Sequence, residues 1–282
     1  MMKTQFIEPG EGKIAYEEAA PEPISRGPLV VCVPGMGDLR GEYRYLAPQI
    51  AAAGYRAVCM DLRGHGESSV GWKDYSAGGI RDDILALIRQ LDAGPAIVVG
   101  NSFAASAAVW AAAAAPELVQ GLVLVGPAVH GKISGTFRLL LKALFARPWG
   151  PVAWQQYYKG LFTTRKPADL AEFSMAIRQN MREKGRIEAL YQMMVSPTPD
   201  ADTRLEQVRA PALVLMGSKD PDFKDPTGEA RWIAEQIKGE CTIIEGAGHY
   251  PQTEMPEISG AHIIEFLNKV HMEASLETAS HS

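Results

Sequence analysis

Leu29–Val33, Ala96–Val99, Leu122–Val125 and Ala212–Met216 are apolar at every position rather than at alternate ones. A strand of that composition buries both of its faces, which is the condition of a parallel sheet covered by helices on either side. Tyr55 to Met60 and Cys241 to Ile244 extend the series. Stretches of helical period separate these runs: Tyr45 to Ala53, Ile80 to Leu91, Phe103 to Ala115, Gly228 to Ile237 and Pro256 to Val270. In the second of them Ile84, Leu87, Ile88 and Leu91 share one face. Near the start, Thr4 to Glu8 and Lys13 to Glu17 flank Pro9-Gly10-Glu11-Gly12 and predict a β-hairpin.

The alternation stops between 129 and 202. That stretch has no strand-like run, and four helical segments are predicted in it: Gly135 to Phe145, Trp149 to Leu161, Ala168 to Met181 and Arg186 to Met194. The expected organisation is an α/β core at 1–128 and 203–272, a helical insertion at 129–202 and a flexible polar tail at 273–282. Aromatic side chains are dense in the insertion. Most of them serve its packing onto the core, and some are expected to line an apolar pocket above the sheet. His130, Trp154, Tyr158, Tyr191 and, outside the insertion, Tyr250 are the pocket candidates.

With 282 residues, 46% of them hydrophobic and 22% charged, the chain has material for one large globular core. A net charge of −5 argues against nucleic acid or an anionic membrane as partner. The expected partner is a small-molecule substrate, and no reading of oligomeric state follows. No apolar run approaches the ~18 to 20 residues of a membrane span, and the first residues lack the apolar core of a signal peptide. Cys32, Cys59 and Cys241 each lie in an apolar run, and their odd number and spacing fit neither a zinc site nor a disulfide framework. They are expected as buried thiols of a cytoplasmic protein, with no metal and no cofactor.

The chemistry is concentrated where one apolar run ends. Ile97-Val98-Val99-Gly100-Asn101-Ser102 passes directly into the alanine-rich stretch beginning at Phe103, so a strand, a sharp turn and a helix meet at a serine. A serine hydroxyl attacks a carbonyl only if a base takes its proton, a carboxylate orients that base, and donors receive the oxyanion. In an open α/β sheet these groups belong at the C-terminal ends of strands. Of six histidines, His249 in Gly246-Ala247-Gly248-His249 directly follows the last strand. His65 lies in a glycine-rich turn and reads as structural, His262 and His271 fall on the last helix, and His281 lies in the tail. After Ala212–Met216, the loop Gly217-Ser218-Lys219-Asp220-Pro221-Asp222 offers two carboxylates. For the oxyanion, Pro34-Gly35-Met36-Gly37 follows the first apolar run, and the backbone N–H groups of Met36 and Phe103 are the expected donors.

The succession Pro-Gly-Met-Gly, Asp-Leu-Arg-Gly-His-Gly-Glu-Ser, Gly-Asn-Ser-Phe-Ala, Gly-Ser-Lys-Asp and Gly-Ala-Gly-His resembles the α/β-hydrolase superfamily from about Thr4 to Val270. The resemblance implies a Ser102–Asp220–His249 triad, a mostly parallel sheet and a helical cap inserted after the sixth strand. It implies a carboxylesterase-like serine hydrolase acting on a small, largely apolar carboxylic ester. Two positions depart from the family pattern. Ala104 stands where the elbow usually has glycine, and Pro34 where histidine usually precedes the oxyanion glycine. Gly-Asn-Ser-Phe is also similar to the elbow of the meta-cleavage-product hydrolases, so carbon–carbon bond hydrolysis is an alternative. A non-catalytic ligand receptor on the same scaffold is another.

Overall fold

A computed structural model of the protein describes residues 3–20, 27–130, 135–196 and 201–280. Parts of the expected regions, namely 131–134 and 197–200 of the insertion and 281–282 of the tail, lie outside the described residues. The strands are β1 (Gln5–Ile7), β2 (Ile14–Ala19), β3 (Leu29–Val33), β4 (Arg56–Met60), β5 (Ala96–Asn101), β6 (Val119–Val125), β7 (Ala212–Gly217) and β8 (Glu240–Ile244). They form one sheet in the order β1-β2-β4-β3-β5-β6-β7-β8. β1 and β2 form the expected hairpin and β2 runs antiparallel to β4, while every pair from β4 to β8 is parallel.

Five helices cover the core: α1 (Leu46–Ala52), α2 (Ala77–Leu91), α3 (Phe103–Ala114), and, numbered after the insertion, α8 (Pro226–Ile237) and α10 (Pro256–Ser280). The side chains of each central strand divide by period two between the faces. Val31, Val98, Leu122, Leu124 and Val214 join Ile80, Ile84 and Leu87 of α2, the alanines of α3 and Ile233 of α8. Val30, Cys32, Val99, Val123 and Leu215 join Leu46 and Ile50 of α1 and Ile263, Phe266 and Leu267 of α10. Both faces are therefore buried, which is why the central stretches of these strands are apolar throughout, the polar residues Asn101 and Gln120 falling at or near strand ends. The alanines of α3 let that helix lie close on β5 and β6: Ala104, Ala105, Ala107, Ala108, Ala111 and Ala112 are almost fully buried.

Between β6 and β7 lie α4 (Gly135–Leu144), α5 (Gly150–Gly160), α6 (Leu170–Arg182) and α7 (Arg186–Val195), close to the predicted segments. They form a hydrophobic cluster of their own around Phe145, Trp154, Tyr158, Phe162, Ile177 and Leu190, joined by Tyr250 from the core. The remaining short helix, α9 (Pro251–Glu254), follows His249 directly.

Two expectations about the fold differ from the structure. Cys241 is exposed, because it lies near the start of β8, the outer strand of the sheet, where Glu240 is exposed as well. The last helix does not end near Val270 but continues to Ser280, so the expected tail is helical as far as that residue. The segment contains no glycine or proline that would break a helix. Among the described residues no helix is long and apolar enough to cross a membrane.

Candidate active site

Strand register brings the candidate loops together. Val33 is paired with Gly100, Asn101 with Val125, Val125 with Leu215 and Gly217 with Ile244. The segments that follow β3, β5, β6, β7 and β8 therefore leave the same edge of the sheet side by side. The chain order reverses beside β3, where such sheets leave a crevice for ligand.

Ser102 sits between β5 and α3 at φ 54 and ψ −118. A residue with a side chain rarely adopts that backbone, and holding it there costs about 1–3 kcal/mol. The surroundings enforce it. The Ser102 N–H donates to Val125 O at 2.8 Å, and its C=O accepts from Ala128 N–H at 3.2 Å. Gly100 makes the reversal possible, since a Cβ there would lie 2.8 Å from Ala104 O. The close approach that requires glycine is thus made at position 100, and Ala104 is buried beside it.

His249 and Asp220 are buried and joined by a 2.7 Å contact between Nδ1 and Oδ2. The second Asp220 oxygen accepts from the Asp222 N–H at 3.0 Å, which fixes the carboxylate. The two aspartates are thereby told apart: Asp220 engages Nδ1, whereas Asp222 Oδ2 lies 3.8 Å from Nε2. Burial of the His249 ring acts to lower its pKa, but the charge of Asp220, its hydrogen bond and the charge of Asp222 outweigh this and leave it above the ordinary histidine value.

Among the described residues no hydrogen bond joins Ser102 to His249. They meet through the end of β6: Ser102 is bonded to Val125, and a Cβ on Gly126 would lie 3.3 Å from both His249 Cε1 and Asp220 Oδ2. Asn101 adds a tie, its side-chain amide donating to Val125 O and to His249 O at 3.1 and 3.3 Å. Serine–base contacts commonly tighten only when substrate is bound.

The expected oxyanion donors are free. Neither the Met36 nor the Phe103 N–H donates to a described protein group, whereas the neighbouring Gly35 N–H is held by Glu42 Oε2 at 2.7 Å. The insertion shapes this loop from above. Gly37 has φ +77, and its C=O accepts from Trp154 Nε1 at 2.9 Å. A Cβ on Gly37 would fall 2.2 Å from the Trp154 ring.

Beneath the loop Asp38 and Glu42 are buried. Burial raises Asp38 to about 7 and, with the charge of Asp38, carries Glu42 well above the carboxylate range. Asp38 Oδ2 and Tyr158 Oη have no hydrogen-bond partner among the described residues.

Of the pocket candidates, Trp154, Tyr158 and Tyr250 come together. Their rings are buried, Tyr158 lies 5.3 Å from Tyr250, and Tyr250 lies 5.3 Å from His249. His130 is not brought to them. It is exposed, stacks on Trp232 and faces Asp202 and Glu229. Tyr191 is half-buried on α7, without a ring contact or hydrogen bond to the cluster. His65 is fully buried, and burial lowers it to about 4, a neutral ring holding Arg63 O as expected of a structural residue.

Sequence reasoning missed Glu254. Its buried carboxylate accepts the N–H groups of Thr164 and Arg165 at 2.7 Å each, of Gly248 at 2.8 Å and of Thr163 at 3.4 Å. The His249 N–H itself donates to Leu161 O at 3.0 Å. The loop bearing the histidine is thus fastened to the end of α5. No local pattern marks Glu254, because three of its four partners are about 90 residues away in sequence. Asp220, Asp222 and His249 also bring three possible metal-donor atoms within 4.8 Å. However, Nδ1 is spent on Asp220, so they do not offer three free ligands.

A family model described as the alpha/beta hydrolase family matches residues 30–258. A 2-(acetamidomethylene)succinate hydrolase from Mesorhizobium japonicum is 35% identical over 251 residues, spanning 86% of this chain and 88% of the relative. A dihydrolipoyllysine-residue acetyltransferase component of an acetoin cleaving system from Pseudomonas putida is 28% identical over 262 residues. That match takes in 86% of this chain but 64% of the relative's length. Among solved structures, an esterase from Thermogutta terrifontis superposes with a TM-score of 0.80 at 24% identity, covering 95% of this chain and 99% of the other. The chain belongs to the alpha/beta hydrolase family.

Proposed function

We propose that this member of the alpha/beta hydrolase family is a serine hydrolase that cleaves a small, largely apolar carboxylic ester through an acyl-enzyme. The observation that carries the reading is Ser102 in a strained backbone at the β5–α3 junction, with a hydrogen-bonded Asp220–His249 pair at the neighbouring strand ends. Ser102 Oγ attacks the ester carbonyl while His249 Nε2 takes its proton, Nδ1 being engaged by Asp220. The Met36 and Phe103 N–H groups hold the oxyanion. His249 returns the proton to the leaving alcohol, and water, deprotonated by the same nitrogen, releases the acid and restores Ser102.

Residues 129–202 act as the cap. Trp154, Tyr158 and Tyr250 supply an apolar wall, and the Asp222 carboxylate beside His249 supports a substrate without negative charge there. The free thiols of Cys32, Cys59 and Cys241 support a reducing, cytoplasmic setting. Kinetics on a panel of p-nitrophenyl esters, with labelling by a fluorophosphonate, test the proposal. Ser102→Ala is expected to lose at least roughly a thousandfold in kcat/KM and all labelling, with an unchanged melting temperature. Retained hydrolysis in that variant would refute the assignment, and labelling without turnover of any ester would favour a non-catalytic receptor.

A further inference from the structure

Asp222 stands on the side of His249 where a carboxylate is hardest to accommodate. Its Oδ2 lies 3.8 Å from Nε2, the nitrogen that must stay unprotonated to accept a proton. An approach of about 1 Å would make that contact a charge-assisted hydrogen bond. The ring would then be an imidazolium wedged between two carboxylates, with no lone pair to offer. What holds Asp222 back comes from the insertion: the Tyr157 hydroxyl lies 2.8 Å from each of its carboxylate oxygens, a shared hydrogen bond. Desolvation around its hydroxyl and the neighbouring Asp222 charge raise the phenol's pKa although the side chain is partly exposed, so it stays protonated and remains a donor. The Asp222 backbone is anchored by its N–H to Asp220, which leaves rotation of the side chain as the available movement. Tyr157 is itself placed by α5, packing on Trp154 with ring centroids 5.0 Å apart.

We infer that Tyr157 is a positioning residue that restrains Asp222 beside, and not on, the Nε2 of His249, so that docking of the helical insertion sets the availability of the base. The inference rests on the reading of His249 as the general base. At its held distance Asp222 supports the imidazolium formed during turnover, and released it competes with Ser102 for the ring.

The test is the pH profile of kcat/KM on a p-nitrophenyl ester. The charged groups facing the ring are Asp220 and Asp222 from the loop after β7, while Tyr250 from the start of α9 and Tyr157 from α5 are neutral. In Tyr157→Phe the acid limb moves to higher pH by about one unit, a loss of roughly tenfold at pH 6 that is recovered at alkaline pH. In Asp222→Asn the limb moves to lower pH. In the double variant the tyrosine change has no further effect, because the carboxylate it restrains is gone. An unmoved limb in Tyr157→Phe, or an undiminished tyrosine effect in the Asp222→Asn background, overturns the restraint. His249→Ala separates the two levels: full activity there removes the base assignment itself, whereas its loss beside an unmoved Tyr157→Phe profile removes the restraint alone.

Discussion

Glu254→Gln isolates the fastening between insertion and histidine loop. In the native chain both carboxylate oxygens accept backbone N–H groups: Oε1 those of Thr164 and Arg165, Oε2 those of Gly248 and Thr163. A glutamine has one oxygen, so whichever way the amide turns it sets an NH₂ against one of the two groups of donors. The Gly248 N–H is buried, and leaving a buried donor unpaired costs about 1–3 kcal/mol. The donors at 164 and 165 belong to exposed residues, where water replaces part of what is lost. The net expectation is about 2 kcal/mol. For a chain of this size that lowers the melting temperature by roughly 3–4 °C. Because Gly248 precedes His249, kcat should fall while KM changes little. Thermal unfolding and steady-state kinetics on the same preparations check both. An unchanged melting temperature with unchanged kcat would refute the reasoning, and Glu254→Ala, which strips every acceptor, should exceed the glutamine variant on both measures.

Gly37→Ala should be destabilised by at least about 1–3 kcal/mol, since the position combines positive φ with a Cβ clash on Trp154. Urea unfolding should show a lowered midpoint, and hydrolysis should fall with it. Asp38→Asn should be stabilising at pH 8 and neutral near pH 4. The folded-state pKa of Asp38 is raised to about 7, so its contribution is fully present below the unfolded carboxylate value and is lost as pH rises through 7. Chemical denaturation at the two pH values measures the difference, and equal effects at both would contradict it.

The alternation of wholly apolar runs with helical periods was enough to foresee the parallel sheet, because burial on both faces leaves its mark on every residue of a strand. The serine elbow was legible for a similar reason: Gly100, Ser102 and the helix after it are neighbours in sequence, and the strain at Ser102 is a local property of that turn. His249 and the acidic loop were legible as chemistry at strand ends. Which aspartate meets Nδ1 was not a local matter. Asp220 and Asp222 are two residues apart in one loop, and only the position of the ring gives them opposite nitrogens. His130 shows the same limit in reverse, since a histidine beside the insertion turns to Trp232 and two carboxylates rather than to the pocket.

The sequence by itself therefore determined the layers, the order of the chemical groups and the elbow, all of which follow from composition and from contacts within a few residues. Tertiary structure decided how the insertion grips the site. Glu254 reaches Thr164 and Arg165, and Tyr157 reaches Asp222, across separations of 65 to 90 residues. Hydrogen bonds of that kind depend on where two helices and a loop come to rest in space, and no local propensity encodes it.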